Sequence, residues 1–96
     1  MIKYETMFIL KPDLEEDAYT ALVERFQGLI EAEGGEVTNV ERMGRRKLAY
    51  EVKKKFREGY YVLINYKSEP HVTAELERNF KITDDVIRYL IVREEE

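Results

Sequence analysis

The residues best suited to chemistry in this chain are cations. Arg42, Arg45, Arg46, Lys47, Lys53, Lys54, Lys55 and Arg57 fall within sixteen consecutive positions. Planar guanidinium forks match phosphate and carboxylate oxygens two at a time. Arg45-Arg46-Lys47, next to Gly44, is therefore a candidate clamp for a nucleic-acid backbone or for the acidic groups of a protein partner. The same charges on an edge strand would also discourage pairing with a strand of another chain, and the two roles are compatible. Net charge is −4, so the molecule lacks the overall basic footprint of a non-specific nucleic-acid binder, and any such contact is local.

Groups for covalent chemistry are sparse. With no cysteine, neither a disulfide framework nor a thiolate metal site is available, and a reducing cytoplasm suits the chain. The only histidine, His71, follows Pro70 without the neighbours of a triad or a metal site. Glu15, Glu16, Glu24, Glu31 and Glu33 fall on the outer side of a predicted helix and read as a solvated face, since acid–base pairs need a cleft and unequal burial. An acylphosphatase-like anion cradle would have to be built from Lys11-Pro12-Asp13-Leu14-Glu15-Glu16-Asp17, where acid repels phosphate. No catalytic residue, metal or cofactor is expected. The start of the chain lacks a signal-peptide pattern, and no apolar run approaches the roughly 20 residues that span a bilayer. Secretion and membrane insertion are therefore not expected.

The elements that must position these residues follow from periodicity. Ile2, Tyr4, Thr6, Phe8 and Leu10 alternate with Lys3, Glu5, Met7 and Ile9, a two-residue period that predicts a strand. Because Met7 and Ile9 are apolar too, the strand belongs in a sheet centre. Asp13 and Glu16 have capping-box spacing, and Ala18, Leu22, Phe26, Leu29 and Ile30 recur at helical steps until Gly34-Gly35. A long second strand is predicted over 36–52, with Val37, Val40, Met43, Leu48, Tyr50 and Val52 inward. Its spacing slips between Val37 and Val40 and is interrupted near Gly44, which predicts bulges. Residues 53–58 read as a charged connection and 59–66 as a third, central strand. A second helix opens at Pro70 and carries Val72, Leu76 and Phe80. After Thr83-Asp84-Asp85 a fourth strand runs over 86–93, with Ile87, Tyr89 and Ile91 opposite Arg88, Leu90 and Val92.

The order βαββαβ with right-handed crossovers predicts one α+β, ferredoxin-like domain over residues 1–96: a four-stranded antiparallel sheet in the order 4-1-3-2 with two helices on one face. Glu94-Glu95-Glu96 reads as a frayed acidic tail. The other sheet face then carries Lys3, Glu5, Met7, Ile9, Tyr61, Leu63, Asn65, Arg88, Leu90 and Val92. Its apolar members form a patch of the order of a few hundred Å², the size at which an exposed patch marks an interaction site. The alternative is that the bent second strand or the tail folds over it. Gly59-Tyr60-Tyr61-Val62-Leu63 matches the RNP1 pattern poorly, so base stacking on a bare sheet is not expected.

Tyr4-Glu5, Leu10-Lys11-Pro12-Asp13-Leu14, Gly44-Arg45-Arg46-Lys47-Leu48-Ala49-Tyr50 and Gly59-Tyr60-Tyr61 together resemble the bacterial ribosomal protein S6 family, in order over essentially the whole chain. The resemblance implies a structural component of the small ribosomal subunit that pairs with ribosomal protein S18 and binds the central domain of 16S ribosomal RNA. It also implies a free monomer, without a small-molecule substrate or membrane. On that footing Met7, Tyr61 and Leu63, with Arg45, Arg46 and Lys47, are expected to meet the protein partner, and Lys3, Arg88 and Arg93 to approach RNA from the edge of the first and fourth strands. The competing reading is an ACT-type regulatory domain binding an amino acid, though the glycine-rich turn such sites favour after the first strand is missing.

Overall fold

The computed structural model describes residues 1–52 and 56–94. Along the chain run β1 (Ile2–Leu10), α1 (Glu16–Ala32), β2 (Glu36–Val52), β3 (Phe56–Ser68), α2 (Pro70–Ile82) and β4 (Val86–Arg93). The strands form a four-stranded antiparallel sheet in the order β2-β3-β1-β4, the ferredoxin-like arrangement expected. β1 and β3, the two strands apolar on both sides, are the central pair. Phe8 shows how the layers join: fully buried, it lies 5.2 Å from the ring of Phe26 on α1 and 5.1 Å from that of Phe80 on α2. Around it Tyr4, Leu10, Val62, Ile64 and Tyr66 of the sheet and Leu22, Ile30, Val72 and Leu76 of the helices complete one core.

Four details depart from the sequence reading. The Asp13–Glu16 capping box does not form; the N-cap is Glu15, with no side-chain cap. Segment 11–14 is tied instead by the buried Tyr19, whose hydroxyl donates to the Lys11 carbonyl at 2.5 Å and accepts from the Leu14 N–H at 3.3 Å. The second departure concerns β3, which begins at Phe56, so that 56–58 are strand; Lys53, Lys54 and Lys55 lie outside the described residues.

The third departure is in β2. Its register slips between Val37 and Asn39 and between Arg42 and Gly44, as expected, and again between Lys47 and Val52. Gly44 takes φ 83°, a left-handed conformation that a side chain would strain. Each extra residue changes which positions face the helices. Val37 and Val40 pack against the core, and Met43 is the half-buried extra residue of the second slip. Leu48 and Tyr50, expected inward, instead lie with Ile9 and Tyr61 on the helix-free side. The side chain of Val52 is outside the described residues. Beyond the last β1 pair, Leu10 with Tyr60, β2 and β3 continue together as an arm, pairing Arg46 with Gly59 and Val52 with Phe56.

The fourth departure lies where β4 passes the end of β1. Leu10 pairs with Val86 but Ile9 with Arg88, so Ile87 is an extra residue. Val86 therefore enters the helix-side core, and Ile87, expected beside Tyr89 and Ile91, does not.

Candidate functional site

Strand register builds the helix-free face row by row, because directly paired residues point the same way. The middle row is Glu41, Leu63, Met7 and Leu90 across β2, β3, β1 and β4. Met7 and Leu63 are half-buried, whereas Leu90 at the edge is 64% exposed and Val92 in the next row 46%. That next row, Asn39, Asn65, Glu5 and Val92, is polar except at its end. The Asn65 amide donates to Glu94 Oε1 at 2.9 Å and Glu5 Oε2 at 3.3 Å, and its oxygen accepts from Asn39 Nδ2 at 3.1 Å. An apolar strip is thus bordered by a hydrogen-bonded end.

At the other end stand Gly44, Tyr61, Ile9 and Arg88. Here the arm folds back over the sheet, so the self-covering alternative is realised in part. Leu48, Ala49 and Tyr50 line a cavity with Ile9, Tyr61 and Arg88. Ile9 is only 8% exposed and Ile87 4%. Gly59 lies against both: a Cβ there would stand 2.1 Å from Ile9 Cγ2 and 3.6 Å from Ile87 Cδ1. Tyr61 and Leu63 remain half-buried rather than sealed.

The expected site residues are brought together unevenly. Met7, Tyr61 and Leu63 are neighbours on one face. Arg45, Arg46 and Lys47 are all exposed but pair with Tyr60, Gly59 and Glu58 in turn. Their side chains therefore alternate, Arg46 sharing the open face and Arg45 and Lys47 the opposite one, which makes a two-sided charged edge rather than one cluster. Lys3 and Arg93 sit at the same end of the sheet, opposite Lys67 and Tyr4. Arg88 lies five residues further back along β4, about 16 Å at the usual strand rise. Its guanidinium is 5.3 Å from the centroid of the Tyr50 ring, and its Nη1 donates to the Tyr50 hydroxyl.

Arg42 has a role the charge run did not reveal. Its Nε donates to the Tyr60 hydroxyl at 2.9 Å, one Nη to Thr20 Oγ1 at 3.0 Å and the other to Glu16. The Tyr60 hydrogen bond, more than any other contact, holds the guanidinium further toward its charged form. Tyr60 in turn stacks on Tyr19 with centroids 3.8 Å apart. Arg42 thus ties β2 to the first turns of α1. The signal available in the sequence was the spacing of Glu16 and Thr20, which places both on one helix face.

Among the described residues no group of His, Asp or Glu side chains has the spacing to hold a metal ion, and no helix is long and apolar enough to cross a membrane. His71 is exposed, its Nε2 3.3 Å from the Glu33 carbonyl.

The geometry agrees with what comparison finds. The family model described as Ribosomal protein S6 matches residues 3–93. Small ribosomal subunit protein bS6 of Moorella thermoacetica is 56% identical over 96 residues, covering 100% of this chain and 97% of the relative. The protein of the same name from Thermoanaerobacter pseudethanolicus is also 56% identical, over 100% of both chains. The crystal structure of 30S ribosomal protein S6 from Thermotoga maritima superimposes with a TM-score of 0.91 at 40% identity, covering 97% of this chain and 87% of that one. A protein of Arabidopsis thaliana, with TM-score 0.57 at 10% identity over 100% of this chain and 95% of that one, shares the fold alone. Strand order and matches along nearly the whole chain lead to one conclusion: the chain belongs to the ribosomal protein S6 family, whose members are structural proteins of the ribosome and not enzymes.

Proposed function

We propose that the protein is a structural component of the small ribosomal subunit in the bacterial cytoplasm, and that it binds 16S ribosomal RNA jointly with ribosomal protein S18. The observation that carries this reading is the row Leu63, Met7 and Leu90 on a sheet face that no helix covers. Apolar area of that kind gains roughly 25 cal/mol per Å² when a partner removes it from water. S18 is the occupant proposed, meeting Met7, Tyr61 and Leu63, with Arg46 beside them on the open face and Arg45 and Lys47 reaching it around the edge strand.

A chain of net charge −4 has little phosphate affinity of its own, because non-specific affinity comes from counterions released by cations. Lys3 and Arg93 at one end of the β1–β4 edge, with Arg88 further along, supply local RNA contacts, and a basic partner supplies the rest. Coupling follows: S18 raises RNA affinity, and RNA raises S18 affinity by the same factor. In this reading the free protein is a monomer, and family membership leaves nothing in favour of an ACT-type small-molecule site.

The test is the affinity for a 16S central-domain fragment measured with and without S18 at several salt concentrations. Tighter binding with S18 is expected, together with a salt slope that falls by about 1 for each of Lys3→Ala and Arg93→Ala. Equal affinities would remove the cooperative mechanism, and an unchanged slope would remove the edge assignment.

A further inference from the structure

We infer that the β2–β3 arm is a latch closed over one end of the docking face, with Tyr50 and Arg88 as its catch, and that docking of the protein partner opens it. This inference rests on the docking role proposed for that face. The arm is built from the ends of β2 and β3, yet Tyr50 of β2 meets Arg88 on β4, the opposite edge of the sheet. It therefore reaches over the open side of the end of β1, which lies between β3 and β4.

The arm closes only part of the space beneath it. Leu48, Ala49 and Tyr50 line a half-open groove of about 200 Å³ with Ile9, Tyr61 and Arg88. Tyr50 itself is 62% exposed. Among the described residues, the arm is tied to β4 by the Arg88 guanidinium over the Tyr50 ring and by its hydrogen bond to the Tyr50 hydroxyl. Such a contact at the surface biases a local equilibrium by only about two- to fivefold, so the arm opens without unfolding the sheet.

Opening would uncover Ile9, which lines the groove beneath the arm beside Tyr61. It would extend the row of Leu63, Met7 and Leu90 into one longer apolar surface. A partner that covers this surface binds the open form better and shifts the population toward it. Tyr61 would be cleared in the same movement, and the released Arg88 guanidinium would become available to phosphate.

The experiment compares the wild type with Tyr50→Ala, Arg88→Ala and the double variant. Arm closure is read from nuclear Overhauser contacts between the Leu48 and Ile9 methyl groups, uncovered apolar surface from binding of the dye ANS, and docking from titration with S18. Each single variant should weaken the Leu48–Ile9 contact and raise dye binding and S18 affinity by about two- to fivefold. The double variant should add nothing further, since both changes remove the same contact. Thermal midpoints should fall by no more than about 4–8 °C, the most that a fivefold change in one native contact gives a domain of this size.

Retention of the Leu48–Ile9 contact in both single variants would overturn the catch. An opened arm with weaker S18 binding would overturn the latch in favour of an arm that forms part of the docked surface. Absence of S18 binding by wild type and variants alike would overturn the docking role of the face and its trigger, a result set apart from the others because the contact and the dye are read without S18.

Discussion

The two faces of one sheet are built from the same strands by the same alternation, yet they meet opposite fates. On the helix side Tyr4, Phe8, Val62, Ile64 and Tyr66 are all buried, and Phe8 is locked between an aromatic ring from each helix. On the other side Met7, Leu63, Leu90 and Val92 are just as apolar in type but half-buried or exposed. Hydrophobicity alone therefore does not place a residue in a core. What decides is whether another element is available to cover the face, and two crossover helices supply cover to one side only.

The largest expected effect comes from deleting a side chain on the covered face and comparing it with one on the open face. Phe8→Ala should cost about 3–5 kcal/mol in urea unfolding, through lost burial and the cavity left behind. Leu90→Ser, at a position 64% exposed, should stay within about 0.5 kcal/mol while weakening S18 binding. If Leu90→Ser were as damaging to folding as Phe8→Ala, the open face would be a second core and not an interaction surface.

An intermediate effect should come from the place where the open face is self-covered. Gly59→Ala would drive its methyl into Ile9 Cγ2, 2.1 Å from the ideal Cβ position. Cγ2 is bonded to the Ile9 Cβ and is not the far end of a flexible side chain, so relief needs a new rotamer or a backbone shift. A loss of about 1–3 kcal/mol is expected; no loss would mean that this end of the face is as open as the middle row.

The smallest effect concerns pH and the covered face again. Burial raises the Tyr66 phenol above its ordinary value of 10.0, against a hydroxyl contact of 2.8 Å with Thr73 that works the other way. A folded-state value above the unfolded one means that the stabilisation is complete below about pH 10 and is lost as pH rises through the folded value. Tyr66→Phe, which forgoes the Thr73 hydrogen bond, should be about 1 kcal/mol less stable at neutral pH, and the gap should close above pH 10. A gap independent of pH would show the phenol to be as solvated as any on the open face.

The chain's alternation and helical spacing were enough to place all six elements, the central position of β1 and β3, and the strand order. They also located both slips that flank Val40, because an extra residue leaves a visible break in a period of two. They did not reveal the start of α1, since the Asp13–Glu16 spacing suits a cap that the Tyr19 hydroxyl makes unnecessary by binding segment 11–14 itself. Nor did they separate the cations: Arg42, Arg45, Arg46 and Lys47 read as one run, but strand alternation and the slip at Gly44 assign them to different faces and different tasks.

Sequence by itself determined which residues are apolar at which period, and hence the elements, the covered face and the existence of a second apolar face. Only the tertiary structure decided how much of that second face stays open. The course of the arm depends on bulges whose effects accumulate along β2, and on a meeting between Tyr50 and Arg88, residues 38 positions apart. Local periodicity carries no information about contacts of that range, because they arise only when the strands have been brought to opposite edges of one sheet.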